Sequence, residues 1–357
     1  MRRVAALNLV VFTIVAVSLA EAQSPDVSSA GPELDLAGLA LSIGGGQATP
    51  TQPVQPPPPP PRPRPRRRGS MVGYIEDPRI ESKIRVRFDL GYENTVPDRA
   101  EFFYAKCGCY VTALGPANDP DAPGPRPGAA NDLDFQQLYF YAEYALASRF
   151  SAFGQLPFRW IQPKGFVGGG TGFSDQSGVE DLRAGVKMGL LASDAQSLTA
   201  QVRFFFPTGA EDQGLGTGHA SVEPALLYYQ SLNDVVAIES QLGVWLPVKG
   251  AAPVPITDDG HFAGNVLFYG IGPSFVVYRG ESVQFAPVVE LVGWRVLDGY
   301  QTGSPEGNNA SGTNIVNLKF GARAVAGRGS LYIGYGKALT DETWYDDIVR
   351  FEYRYEF

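Results

Sequence analysis

The sequence predicts an all-β fold: a transmembrane antiparallel up-and-down β-barrel of about 12 strands, preceded by a disordered Pro/Arg-rich N-terminal tail. Three observations predict it. Apolar and polar residues alternate with period two in many separate stretches, the connections between those stretches alternate in length, and the chain ends on an aromatic ladder closing at Phe357. Composition agrees. Charged residues make up only 18% of the chain, against roughly 25% in soluble proteins, while aromatics reach 12%. Beyond residue 22 no run of about 18 apolar residues occurs, which excludes a helical membrane protein. Two Cys and two His supply few ligands, so no metal or other cofactor is expected.

Residues 1–22 read as a secretory signal peptide. Arg2 and Arg3 give the positive start, Val4 to Leu19 the apolar stretch, and Ala20-Glu21-Ala22 the small-x-small cleavage pattern. Residues 23–70 read as a disordered periplasmic linker. They contain no Phe, Tyr or Trp, and ten of the sixteen residues from Pro50 to Pro65 are Pro, a composition that favours polyproline II and buries no core. Arg62, Arg64, Arg66, Arg67 and Arg68 make its end basic. That suits a stiff solvated spacer, or contact with a polyanion such as cell-wall polymer. Residues 1–70 hold seven of the 29 Lys/Arg and four of the 37 Asp/Glu, so 22 basic and 33 acidic groups follow. So acidic a remainder excludes nucleic acid as a partner.

The barrel is expected over 71–357, and its first strand shows the pattern best. Ile84, Val86, Phe88, Leu90 and Tyr92 share one face, while Lys83, Arg85, Arg87 and Asp89 share the other. Comparable stretches lie near 134–145, 149–160, 179–191, 198–206, 219–230, 235–246, 262–278, 283–297, 314–325, 330–339 and 344–357. The one near 262–278 carries several Gly and Pro273, and its in/out parity stays open. Leu146–Ser148, Ser231–Asp234, Arg279–Ser282 and Ala326–Gly329 are tight turns; the connections between them are longer, 93–133 above all. Transmembrane barrels show this asymmetry, with short periplasmic turns and long outer loops. In hydrocarbon every backbone N–H and C=O needs an internal partner, so the first strand should pair with the last. An even strand count then places both termini in the periplasm.

With apolar side chains against outer-membrane lipid, the opposite face lines the pore. Its candidates are Lys83, Arg85, Arg87, Asp89, Glu143, Arg159, Arg183, Lys187, Arg203, Glu223, Glu239, Glu290, Lys319, Arg323, Arg350, Glu352 and Arg354. Such residues either set charge selectivity or neutralise one another across strands; confined charges need partners. Twelve strands enclose a lumen between the filled interior of eight and the open channel of sixteen. A narrow channel, partly blocked by these long side chains, is the expectation. Phe351, Tyr353, Tyr355 and Phe357 make a C-terminal assembly signal of the kind read by barrel-assembly machinery.

Other residues add less. Cys107 and Cys109 flank one Gly in the longest loop, where a strained local disulfide or pairing with a partner fits better than a metal. His219 and Ser221 share a strand face, yet no nucleophile elbow or oxyanion pattern accompanies them. His261 follows Asp258-Asp259-Gly260 in a loop, as a solvated turn would.

Three short motifs, Gly178-Val179-Glu180-Asp181-Leu182-Arg183, Phe206-Pro207-Thr208-Gly209 and Glu223-Pro224-Ala225-Leu226, resemble the outer-membrane barrel family named for the phenol meta-degradation pathway. Glu180 stands where that family commonly has Gly. The resemblance implies an outer-membrane transporter of small molecules, aromatic ones among them, and carries no catalytic residues over to this sequence. Together with the charged bore it predicts a passive channel for small, aromatic or anionic solutes and no enzyme; the alternative is a structural or surface-binding barrel with a closed lumen.

Overall fold

The computed structural model describes residues 69–95, 130–166, 174–210, 213–249, 263–301 and 308–357. Among them twelve long strands alternate in direction: Lys83–Asn94, Ala130–Ala147, Phe150–Phe166, Leu182–Ala192, Gln196–Phe206, Ala220–Ser231, Val236–Lys249, Val266–Phe275, Val283–Val296, Asn314–Ala326, Gly329–Ala338 and Asp347–Glu356. Each pairs antiparallel with its sequence neighbours, and the first pairs with the last in the register Ile84↔Tyr355, Arg87↔Glu352 and Asp89↔Arg350. The sheet therefore closes on itself and leaves no strand edge unpaired. The Phe357 N–H donates to the Ser82 carbonyl at 3.1 Å, which ties the end of the chain to the start of the first strand.

Alternation decides what faces in. Along Asn314–Ala326, Phe320 is 51% exposed while Lys319 and Arg323 are 1% and 0% exposed. The same holds for Phe204 and Ile84, exposed on the outer wall, against buried Arg203 and Arg85. Phe88 keeps the outer parity of Ile84 and Val86 but is itself covered. Greasy side chains coat the cylinder, and ionic ones fill it.

Tight turns cluster at one end with the C-terminus. Ala147–Phe150 and Ala326–Gly329 are both two-residue turns, and in the second Gly327 adopts φ +59°, a backbone conformation that Gly tolerates best. Several details differ from the sequence reading. The second and third strands are longer than expected, Ala130–Ala147 and Phe150–Phe166 against 134–145 and 149–160. The strand expected over 179–191 is interrupted at Glu180 and Asp181, with Gln176–Val179 pairing separately against Trp160 and its neighbours. The stretch expected over 262–278 is broken: Val266–Phe275 forms one ladder, and Tyr278–Arg279 pairs separately with Phe285 and Gln284. The last strand begins at Asp347 rather than 344, because Trp344 and Tyr345 turn inward into a buried aromatic cluster with Phe135 and Phe205.

Candidate functional site

The candidate site is the lumen, and it is occupied. The expectation of a bore narrowed by side chains alone is corrected here. Gly69–Ser82, the stretch before the first strand, loops into the barrel from the short-turn end. Gly69 sits near Arg79 and Glu356 at that end, Tyr74 and Glu76 border the space left inside, and Ser82 returns to the start of the wall.

An irregular backbone in a confined space must find partners for its N–H and C=O groups. The wall supplies them as side chains. Glu290 accepts the N–H groups of Gly73, Tyr74 and Ile75 at 2.9, 2.8 and 2.9 Å. Glu239 accepts from the Met71 N–H at 3.0 Å, and the Gln241 side-chain carbonyl from Glu76 N–H at 3.0 Å. Arg323 donates to the carbonyls of Met71 and Val72 at 3.1 and 2.8 Å, Arg350 to Gly73 at 2.7 Å, and Lys187 to Asp77 at 2.9 Å. The Thr199 hydroxyl donates to the carbonyl of Pro78.

The loop's own carboxylates complete the lattice. Asp77 meets Lys83 at 2.7 Å and Arg354 at 3.2 Å; Glu76 meets Arg203 at 2.9 Å and Arg85 at 3.2 Å. These contacts resolve a conflict in the wall, where Arg85 lies directly opposite Arg354. Burial alone would raise both carboxyls. The cations reverse it: Arg85 and Arg203 hold Glu76, and Lys83, Arg79 and Arg354 hold Asp77, well below the ordinary carboxylate range.

Apolar packing fixes the loop's other face. Met71, Val72 and Ile75 bury against Val276, Ala286, Val288, Val292 and Tyr332. A Cβ on Gly73 would stand 2.2 Å from the Tyr332 ring, so no larger residue fits without displacing it. Gly270 and Gly272 face inward on Val266–Phe275, where added Cβ atoms would come within 3.1 Å of Ile75 and 3.0 Å of Val72. Their missing side chains make room for the loop, and this is why that strand's parity was unreadable.

The predicted lumen residues thus sort into two kinds. Glu143 binds Lys187 at 2.9 Å, Glu223 binds Arg203 at 3.0 Å, Glu352 binds Arg323 at 2.7 Å, and Arg159 meets Glu180 at 3.2 Å, all as neutralising pairs. Glu239 and Glu290 depart from the expected cross-strand pairing with cations: they hold loop amides instead. Sequence reasoning missed residues 71–82 because they have no period. The signal was there in the apolar run Met71-Val72-Gly73-Tyr74-Ile75 and in small inward residues on two adjacent strands of an otherwise charged bore.

Beyond Tyr74, toward the long-loop end, a cavity of about 150 Å³ remains. Arg87, Arg183, Arg203, Lys319 and Arg350 face it, against three carboxylates, Glu76, Asp89 and Glu223. Its walls are aromatic, with Trp294 and Trp344 in contact at 4.4 Å between ring centroids. Tyr74 lies between two cations, Lys319 and Arg350, each 3.9 Å from its ring centroid.

Two of the family-like motifs meet in space. The Leu182 N–H donates to the Thr208 hydroxyl at 2.9 Å, and Asp181 accepts from the N–H groups of Gly209 and Thr217 at 3.1 and 2.8 Å. Asp181 therefore knits the strand break to the following loop instead of lining the bore as one of an alternating series. His219 turns Nδ1 to the Thr217 carbonyl at 2.8 Å and packs its ring on Trp245. Cys107, Cys109, His261 and Asp258-Asp259 lie outside the described residues.

No family model matches the chain, and no curated protein matches it in sequence. Solved structures do. An outer-membrane channel from Pseudomonas putida F1 is 16% identical with a TM-score of 0.51, the match covering 80% of this chain and 99% of that one. The β domain of the Bordetella autotransporter BrkA is 14% identical at TM-score 0.44, covering 78% of this chain and 100% of that one. The NanC porin is 8% identical at TM-score 0.41, covering 77% and 98%. The first of these likenesses is one of fold: a closed antiparallel barrel.

Proposed function

We propose that the protein is a bacterial outer-membrane barrel acting as a passive channel for small molecules, aromatic or anionic ones among them, with its bore narrowed by Gly69–Ser82. The observation that carries this is the cavity beyond Tyr74, a polar and aromatic space inside a wall whose outer surface is apolar. A barrel with a greasy exterior and closed ladder belongs in hydrocarbon, where open edges are not tolerated. The fold likeness to an outer-membrane channel supports the same assignment, as do the motifs resembling the phenol meta-degradation barrels. The short-turn end, with the C-terminus and Gly69, is then periplasmic. Phe351, Tyr353, Tyr355 and Phe357 are the strand presented to the assembly machinery, and the charge of the Arg-rich tail suits contact with cell-wall polymer. The reading assigns no catalysis.

The packed loop favours one rival, a structural or surface-binding barrel with a permanently closed lumen. Reconstitution separates the two. A channel gives small, discrete conductance steps in planar bilayers and solute-dependent swelling of liposomes. Folded, inserted protein that is electrically silent and admits no solute would leave the rival standing.

A further inference from the structure

Glu290 and Lys319 are direct neighbours across adjacent strands. Opposite charges so placed ordinarily pair. They do not, because both Glu290 oxygens turn to the loop amides and to the Tyr332 hydroxyl. Lys319 is left 1% exposed, with the Tyr345 hydroxyl at 2.6 Å, two tyrosine faces, and no carboxylate within 4.0 Å among the described residues. Arg87 is nearly as bare. Its one acid, Asp89, lies 3.5 Å away and is already gripped by two nitrogens of Arg350 at 2.7 Å each. A buried cation without a counter-charge is costly. Both cations border the same cavity.

We infer that this cavity is a binding site for a small aromatic carboxylate, its anionic group compensating Lys319 and Arg87 and its ring lying against Trp294 and Trp344. The inference rests on reading the lumen as a route for small molecules, and it names the chemistry that route selects. A cavity of about 150 Å³ accepts one six-membered ring. Charge-assisted hydrogen bonds supply the orientation that ring packing alone lacks. The loop is part of the site: by engaging Glu290 it leaves Lys319 available.

The test uses the full-length protein in detergent micelles, read by tryptophan fluorescence, with planar-bilayer conductance measured in parallel. Benzoate should quench saturably. Benzyl alcohol, of the same size but uncharged, should bind at least tenfold more weakly, and benzylammonium should not bind. Lys319→Gln should weaken benzoate at least tenfold and leave benzyl alcohol unchanged; Arg87→Gln should act in the same direction. Equal affinity for benzoate and benzyl alcohol in the unmodified protein overturns the inference, and that comparison needs no variant to fold. Conductance without this discrimination overturns the site while leaving the channel. Discriminating benzoate binding in an electrically silent protein supports the site and removes the channel.

Discussion

The two halves of the lumen are built on different rules. Toward the short turns, nearly every charge is matched: Lys83, Arg354 and Asp77 form one knot, Arg323 and Glu352 another, and the loop's backbone is bonded to the wall. Toward the long loops, aromatic rings replace carboxylates, cations outnumber acids, and a cavity opens. The lower half spends its charges on holding a piece of its own chain. The upper half keeps charges in reserve. In a bore of uniform ladder geometry, the difference lies in which residues the loop reaches.

If the matched half is a structural lock, breaking it should have the largest effect. Arg323 is fully buried and joins Met71, Val72, Ser330 and Glu352. Arg323→Ala leaves Glu352 facing only Arg354 and Arg85, and orphans two loop carbonyls. A loss of about 3–5 kcal/mol is expected, as for one partner removed from a buried pair. Urea unfolding in lipid vesicles measures it, and a change below about 1 kcal/mol would show that the lock is not structural. Glu290→Gln should do less. It keeps one acceptor but removes the charge that held three amides, for about 1.5–3 kcal/mol by the same assay. Because the loop alone loses its anchor, conductance should rise more than global stability falls.

Most of the wall was legible in the sequence, while the lock was not, for a physical reason. Strand period is a local property: Ile84 to Tyr92 declares its faces without reference to any other residue, and all twelve strands overlap the stretches where alternation puts them, although the third runs on to Phe166. The loop's bonds run from Gly73 to Glu290 and from Met71 to Arg323, across more than 200 residues, and side chains make them. No window of sequence contains both partners. The charged bore was readable as a set, but which cation meets which acid was not. Glu290 and Lys319 stand opposite each other and remain apart only because Gly73, Tyr74 and Ile75 intervene.

A milder change sharpens the comparison. Gly73→Ala would place a methyl 2.2 Å from the Tyr332 ring and disturb the loop without removing any charge. Overpacking of this kind costs about 1–3 kcal/mol. If the loop sets the bore, Gly73→Ala should change conductance while the salt dependence of stability stays as it was.

Acid should act only late, and on one half. Glu76 and Asp77 have folded-state pKa values below their unfolded ones, so their contribution is complete above about pH 4–5 and is lost as pH falls through the folded values. The loop should therefore stay seated from neutral pH down to about 4 and loosen below it. Proteolysis between Gly69 and Ser82 by an acid-active protease is the readout, with cleavage rising only under strongly acid conditions. Release already near pH 6 would mean that Glu76 and Asp77 do not set the seating of the loop. A loop that stays protected even in strong acid would mean that its apolar face against Val288, Val292 and Tyr332 holds it without the ion pairs to Lys83, Arg85, Arg203 and Arg354.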